Sequence, residues 1–166
     1  MTPPAPSDPQ ASLSDAALPA ERDTRVLIVD DNLHNLELLQ AYLEETDCSI
    51  AVAHDGLEAL AEVERRQPDL ILLDVMMPRM SGFQVCAKLK EDPATRDIPI
   101  VMVTALNEIA DIERARDSGA DDFLTKPVNK LELIIRVRSL MRVRLLKKQL
   151  DRTLEQVRRL QGRSGD

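Results

Sequence analysis

Asp69-Leu70-Ile71-Leu72-Leu73-Asp74-Val75-Met76-Met77-Pro78 is a short apolar run that ends on an acid. Its four central aliphatics show no polar alternation, so they read as a strand buried on both faces, the pattern of a parallel sheet. Pro78 then blocks further regular pairing and sends the chain into a loop. Asp74 is thereby presented on a rigid strand end, where buried sheet meets solvent. Alone, such an Asp reads as a strand terminator that caps the next turn. Its meaning depends on what the other strands bring beside it.

Upstream, Arg25-Val26-Leu27-Ile28-Val29-Asp30-Asp31 has the same form, four aliphatics running into two acids. Asn32 opens a helical pattern with Leu33, Leu36, Leu39 and Leu43 on one stripe and Gln40, Glu44 and Glu45 facing water. Ser49 to Ala53 is a short strand, Asp55-Gly56 a turn, and Leu57, Leu60, Ala61 and Val63 carry a helix that Pro68 stops. Downstream, Ser81-Gly82 starts a helix with Phe83, Val85, Cys86 and Leu89 as its apolar members, and Asp92-Pro93 ends it. Ile98 to Thr104 is another apolar strand, ending on a hydroxyl. Ile109, Ile112 and Ala115 fall at helical spacing before a stop at Gly119. Asp121 to Thr125 is a fifth short strand, followed directly by Lys126-Pro127. From Val128 the helical pattern continues to about Gly162.

Strand and helix thus alternate five times. The expected class is α/β, a doubly wound parallel sheet with helices on both faces. Ligand sites in such sheets lie at the C-terminal ends of the strands. Asp30, Asp31, Asp74, Thr104 and Lys126 all fall there.

Composition narrows the function. The chain has 166 residues, enough for one domain with extensions. Hydrophobic residues make up 43% but aromatics only 2%, so the core is aliphatic and base stacking is not available. The net charge of -7 argues against direct binding of nucleic acid or an anionic membrane. No run approaches the length of a transmembrane helix, and the N-terminus lacks the basic and apolar regions of a signal peptide. Cys48 and Cys86 have no metal-ligand spacing and read as reduced thiols, which makes a cytoplasmic protein the expectation. Residues 1–24 are mostly Pro, Ala, Ser and Asp with little apolar surface, and read as a disordered tail. His34 and His54 read as solvent-exposed.

Three acids crowded at one edge raise one another's pKa unless a cation is present, and Mg2+ suits carboxylate oxygens. A carboxylate can itself be a nucleophile in phosphoryl transfer. Such a reaction needs neutralising charge and in-line positioning. Asp30 and Asp31 would hold the metal, Lys126 would pair with phosphoryl oxygens and Thr104 would hydrogen-bond one of them.

With these residues assembled, the chain resembles a response-regulator receiver domain of bacterial two-component signalling, over roughly Arg25 to Leu140. The motifs that carry the resemblance are Val29-Asp30-Asp31, Leu73-Asp74-Val75-Met76-Met77-Pro78 with Gly82, Val103-Thr104-Ala105, Gly119-Ala120-Asp121-Asp122-Phe123 and Lys126-Pro127. It implies a five-stranded sheet of order 2-1-3-4-5. It implies that Asp74 accepts a phosphoryl group from a histidine kinase or phosphotransfer protein. Mg2+ would be bound by Asp31, Asp74 and the backbone carbonyl of Met76, with Asp30 acting through water. The Lys126–Pro127 peptide would be cis. Thr104 and Phe123 would form a switch, the hydroxyl moving toward the phosphoryl and the ring rotating inward behind it. The chain would be no enzyme beyond its own phosphorylation and dephosphorylation. A flavodoxin-type cofactor binder fits less well, because no Gly-rich phosphate loop follows the first strand.

The last helix runs past the usual end of such a domain. Val143, Leu146, Leu150, Val157 and Leu160 fall on heptad spacing, with Thr153 as the weak member. The expected organisation is therefore a tail over 1–24, a receiver over 25–142, a helical extension over 143–161 that forms a coiled coil, and a short tail over 162–166. The expected partner through that extension is a second copy. The alternative is a receiver fragment or adaptor whose helix connects to an effector, such as a diguanylate cyclase, absent from the chain or supplied in trans.

Overall fold

The computed structural model describes residues 24–105 and 109–164. Residues 1–23, expected to be a tail, lie outside the described residues, as does the side chain of Ile109. Strands and helices alternate: β1 (Arg25–Val29), α1 (Leu33–Leu43), β2 (Ser49–Ala53), α2 (Gly56–Arg65), β3 (Leu70–Asp74), α3 (Gly82–Glu91), β4 (Ile100–Thr104), α4 (Ile109–Asp117), β5 (Asp122–Thr125) and α5 (Lys130–Arg163). The five strands form one parallel sheet in the order β2-β1-β3-β4-β5.

Alternate side chains of the apolar strands feed two separate cores. On one face Leu27, Val29, Ile71, Leu73, Ile100 and Met102 pack with Ala59, Val63, Val85, Cys86, Leu89 and Ala115 from α2, α3 and α4. On the other, Val26, Ile28, Leu70, Leu72, Val101 and Val103 meet Leu36, Leu39 and Leu43 of α1 and Leu133, Val137 and Met141 of α5. The absence of polar alternation in β1, β3 and β4 is thus explained, since both faces of these strands are covered. Burying one such side chain contributes about 1.5–3 kcal/mol.

Helix starts are fixed by side-chain caps. Asn32, Asp55 and Asn129 each accept a hydrogen bond from the amide three residues on. Ser81 and Gln84 satisfy one another's amides as a capping box at the head of α3. Gly119, with φ of 92°, takes the left-handed conformation that ends the segment after α4.

Three expected core residues are not buried. Leu33 is 62% exposed, because it lies in the first turn of α1, beyond the last paired residue of β1, where no sheet remains to cover it. Leu57 is 59% exposed and Ala61 is exposed too. The face of α2 that meets the core is Gly56, Ala59 and Val63, so Leu57 sits a third of a turn off that stripe. Both histidines are exposed, as expected.

α5 has 34 residues and is about 50 Å long. It passes through Gly162 to Arg163, beyond the boundary expected at residue 161. Its stem is tied to the sheet end opposite the acids. The Lys148 ammonium meets Asp69 Oδ1 at 2.5 Å, while Asp69 Oδ2 accepts the Arg25 amide at 2.9 Å. The Lys147 ammonium meets Asp97 Oδ1 at 3.0 Å, and Arg144 donates to the Asp97 carbonyl oxygen at 3.2 Å.

Candidate functional site

The parallel register aligns the site before any side chain is considered. Val29 pairs with Leu73, which brings Asp30 abreast of Asp74, and Asp74 itself pairs with Val103, one residue before Thr104. Thr104 pairs with Thr125, so Lys126 follows at the same edge. Five residues spread over 97 positions, from 30 to 126, therefore converge because their strands end together.

Asp30 is 1% exposed and Asp74 5%, whereas Asp31 is solvent-exposed. One carboxylate oxygen from each of the three lies within 4.8 Å of the others. The Lys126 ammonium reaches into the group, 3.0 Å from Asp30 Oδ2 and 3.5 Å from Asp74 Oδ1. Asp30 Oδ1 accepts the Asn32 amide at 2.9 Å, which fixes that carboxylate at the head of α1. Thr104 is buried at the end of β4, and its carbonyl oxygen accepts the Lys126 amide at 2.8 Å. The Lys126–Pro127 peptide is cis, as the resemblance implied.

Burial pushes the Asp74 carboxyl up to about 6, and the charge of Asp30 adds to the rise. The Lys126 ammonium and the Met76 amide, which donates to the carboxylate, pull in the other direction but do not prevail. An all-oxygen set of two buried carboxylates and one exposed carboxylate suits a hard divalent cation such as Mg2+. Among the described residues the cluster holds no Cys or His, so soft or nitrogen-preferring metals find no ligand in it.

The loop after β3 is shaped by close approach. A Cβ placed on Gly82 would lie 2.2 Å from the Asp74 carbonyl oxygen, so only glycine lets α3 begin against the strand that ends on Asp74. The Gly82 amide donates to the Val75 carbonyl oxygen at 2.9 Å and closes this loop. Gly82 belongs to the sequence motif, but nothing in the sequence reveals its steric role. The Met76 side chain is exposed, two residues after Asp74. Phe123 is half-buried on β5, packed on the core of α3 and α4, and borders a cavity of about 240 Å³ with Ile112 and Ala115. A second cleft, of about 390 Å³, opens beside Lys126 between α1 and the β5–α5 loop and is lined by His34, Leu38 and Pro127.

A doubly wound sheet with an acid trio, a buried hydroxyl and a lysine at its carboxyl edge defines the receiver class of two-component signalling proteins. The chain belongs to that family: the model of the response regulator receiver domain matches residues 26–138. Among curated proteins it is 52% identical over 122 residues to the response regulator PleD of Caulobacter vibrioides, covering 74% of this chain and 27% of that protein. It is 45% identical over 118 residues to the DNA-binding dual master transcriptional regulator RpaA of Synechocystis, covering 71% of this chain and 49% of the relative. The chain thus spans between a quarter and a half of the length of these relatives. Among solved structures, the signal receiver domain of a histidine kinase from Syntrophus aciditrophicus superposes with a TM-score of 0.67 at 38% identity, over 71% of this chain and 89% of that one. The chemotaxis protein CheY4 of Vibrio cholerae gives 0.67 at 28% identity, over 70% and 98%.

Among the described residues no helix is long and apolar enough to cross a membrane.

Proposed function

We infer that the chain is a phospho-acceptor switch, phosphorylated on Asp74 by a histidine kinase or phosphotransfer protein. The observation that carries this reading is the Lys126 ammonium held between Asp30 and Asp74 at the open end of a buried sheet. With a pKa of about 6, Asp74 is ionised at neutral pH and is a competent nucleophile. One carboxylate oxygen attacks the phosphorus of a phosphohistidine. The P–N bond breaks, and the neutral imidazole leaves after taking a proton. Lys126 pairs with the transferred phosphoryl oxygens, and the Thr104 hydroxyl donates to one of them. Asp31, Asp74 and the Met76 carbonyl would hold Mg2+, with Asp30 engaged through water. When bound, that ion supplies positive charge opposite the phosphoryl oxygens.

Thr104 and Phe123 carry the signal onward in this reading. The cavity bordering Phe123 offers its ring room to turn as Thr104 moves. The cleft beside Lys126, with Leu38 exposed on its α1 wall, is where a donor protein would seat its histidine. Output passes through α5, which we read as a dimerising helix. The direct test is incubation with acetyl phosphate and Mg2+, comparing the wild type with Asp74→Ala. Acid-labile phosphate on the wild type alone is the expected result. Its absence from the wild type, or its persistence in the variant, overturns the reading.

A further inference from the structure

The apolar stripe of α5 points away from its own domain. Met141 is buried and Arg144, Leu145 and Lys148 are partly covered, so these positions mark the face docked on the receiver. Val143, Leu146, Leu150, Leu154, Val157 and Leu160 lie about half a turn round the helix and are between 43% and 66% exposed. The stripe is therefore no overrun of the docking face. It is a second apolar face with nothing from this chain on it, among the described residues.

Its chemistry selects the occupant. Val143, Leu150 and Val157 take one seam position and Leu146, Thr153 and Leu160 the other, the 3–4 spacing that a matching helix fills. The flanking positions between 149 and 161 are Gln149, Leu154, Gln156 and Gln161, none of them charged. Arg152, Arg158 and Arg159 lie off the seam, so like charges do not oppose self-pairing there. One conflict remains near the stem. In a parallel pair, Arg142 of one helix would face Lys147 of the other across the seam. The fold has dealt with it, because Asp97 holds the Lys147 ammonium at 3.0 Å.

We propose that α5 pairs with α5 of a second copy, parallel and in register over 143–160, and that Asp97 permits this by neutralising Lys147. The proposal rests on the reading of α5 as a dimerising helix and fixes its geometry. Both acceptor sites then lie at the same end of the dimer, and the two receivers sit outside the seam.

The test is sedimentation of the full chain over a concentration series. The wild type is expected to dimerise and Leu150→Asp to be monomeric. Asp97→Ala raises the monomer–dimer midpoint by about threefold, from two exposed like-charge contacts, and the difference vanishes in about 0.5 M salt. Asp97→Ala combined with Lys147→Ala returns to the wild-type midpoint, which a general loosening of the fold would not do. Leu160→Cys gives a disulfide dimer joined through residue 160 on mild oxidation, with the wild type as the control for Cys48 and Cys86. If the wild type is monomeric, the dimer reading itself fails. If the wild type is dimeric but Leu160→Cys does not cross-link, dimerisation stands and the parallel arrangement is overturned; if Asp97→Ala leaves the midpoint unchanged, the role given to Asp97 is overturned. Neither Asp97 nor the seam touches the acceptor site, so phosphorylation of Asp74 is scored separately.

Discussion

Replacing Asp74 by Asn should make the protein more stable when divalent cations are withheld. Asp74 titrates near 6 when folded, against 3.8 for a free carboxyl, because it is buried and faces Asp30. Between these values the folded chain holds a proton that the unfolded chain has lost. This group's contribution to stability therefore falls as pH rises from about 4 to about 6, then stays constant. A rise of that size corresponds to roughly 3 kcal/mol. Asn keeps the shape and abolishes the charge, but it also weakens the contacts to Lys126 and the Met76 amide, a loss of about 1 kcal/mol. The net expectation is a gain of about 1–2 kcal/mol at pH 7.5 in chelator, read by urea denaturation. The gap between variant and wild type should shrink at pH 4.5, where the wild-type carboxyl is mostly neutral. Millimolar Mg2+ should narrow it too, because an ion that binds the folded wild type stabilises it by mass action while Asn offers a poorer ligand. An Asp74→Asn protein that is no more stable than wild type at pH 7.5 in chelator would refute the electrostatic account of this site.

Three further outcomes are expected. Lys126→Ala removes the cation shared by Asp30 and Asp74, and the rate of phosphorylation by acetyl phosphate should fall by about 10²-fold or more; a fall of less than tenfold would remove Lys126 from the proposed role. Gly82→Ala places a methyl group against the Asp74 carbonyl oxygen, and thermal or urea unfolding should register a loss of about 2–3 kcal/mol; an unchanged midpoint would mean that the loop yields easily. Leu38→Asp, on the wall of the cleft beside Lys126, should slow transfer from a kinase or phosphotransfer protein while leaving phosphorylation by acetyl phosphate intact; equal effects on both donors would place Leu38 in the chemistry rather than in docking.

The site was legible in the sequence because its logic is local. β1, β3 and β4 are apolar runs that stop at Asp30, Asp74 and Thr104, Lys126 follows the short mixed strand β5, and strict alternation with helices forces those stops onto one edge. Asp30, Asp74, Thr104 and Lys126 needed no long-range information beyond that. Leu33 and Leu57 were less readable. Periodicity places residues on a helix face but does not say where the sheet beneath it ends, which leaves Leu33 uncovered, and a ten-residue helix tolerates more than one stripe, which misplaced Leu57. The pins on α5 left no trace in the sequence at all. Lys148 and Asp69 are 79 residues apart, and Lys147 and Asp97 are 50 apart, within a chain where nearly a third of residues are charged. No local pattern marks one such pair among so many candidates. The role of Gly82 was hidden for a different reason, since a close approach between backbones has no side chain to advertise it.

The clamped stem of α5 has a mechanical corollary. Met141, Lys147 and Lys148 hold the stem of the helix to the domain, and some 15 residue steps from Lys148 to Arg163 project about 22 Å beyond. The helix is a lever with a fulcrum at the foot of the sheet. A tilt of about 10° at the stem would carry the far end through about 4 Å, most of the rise of one helical turn. Whatever is joined to that end would receive a displacement larger than the one that produced it.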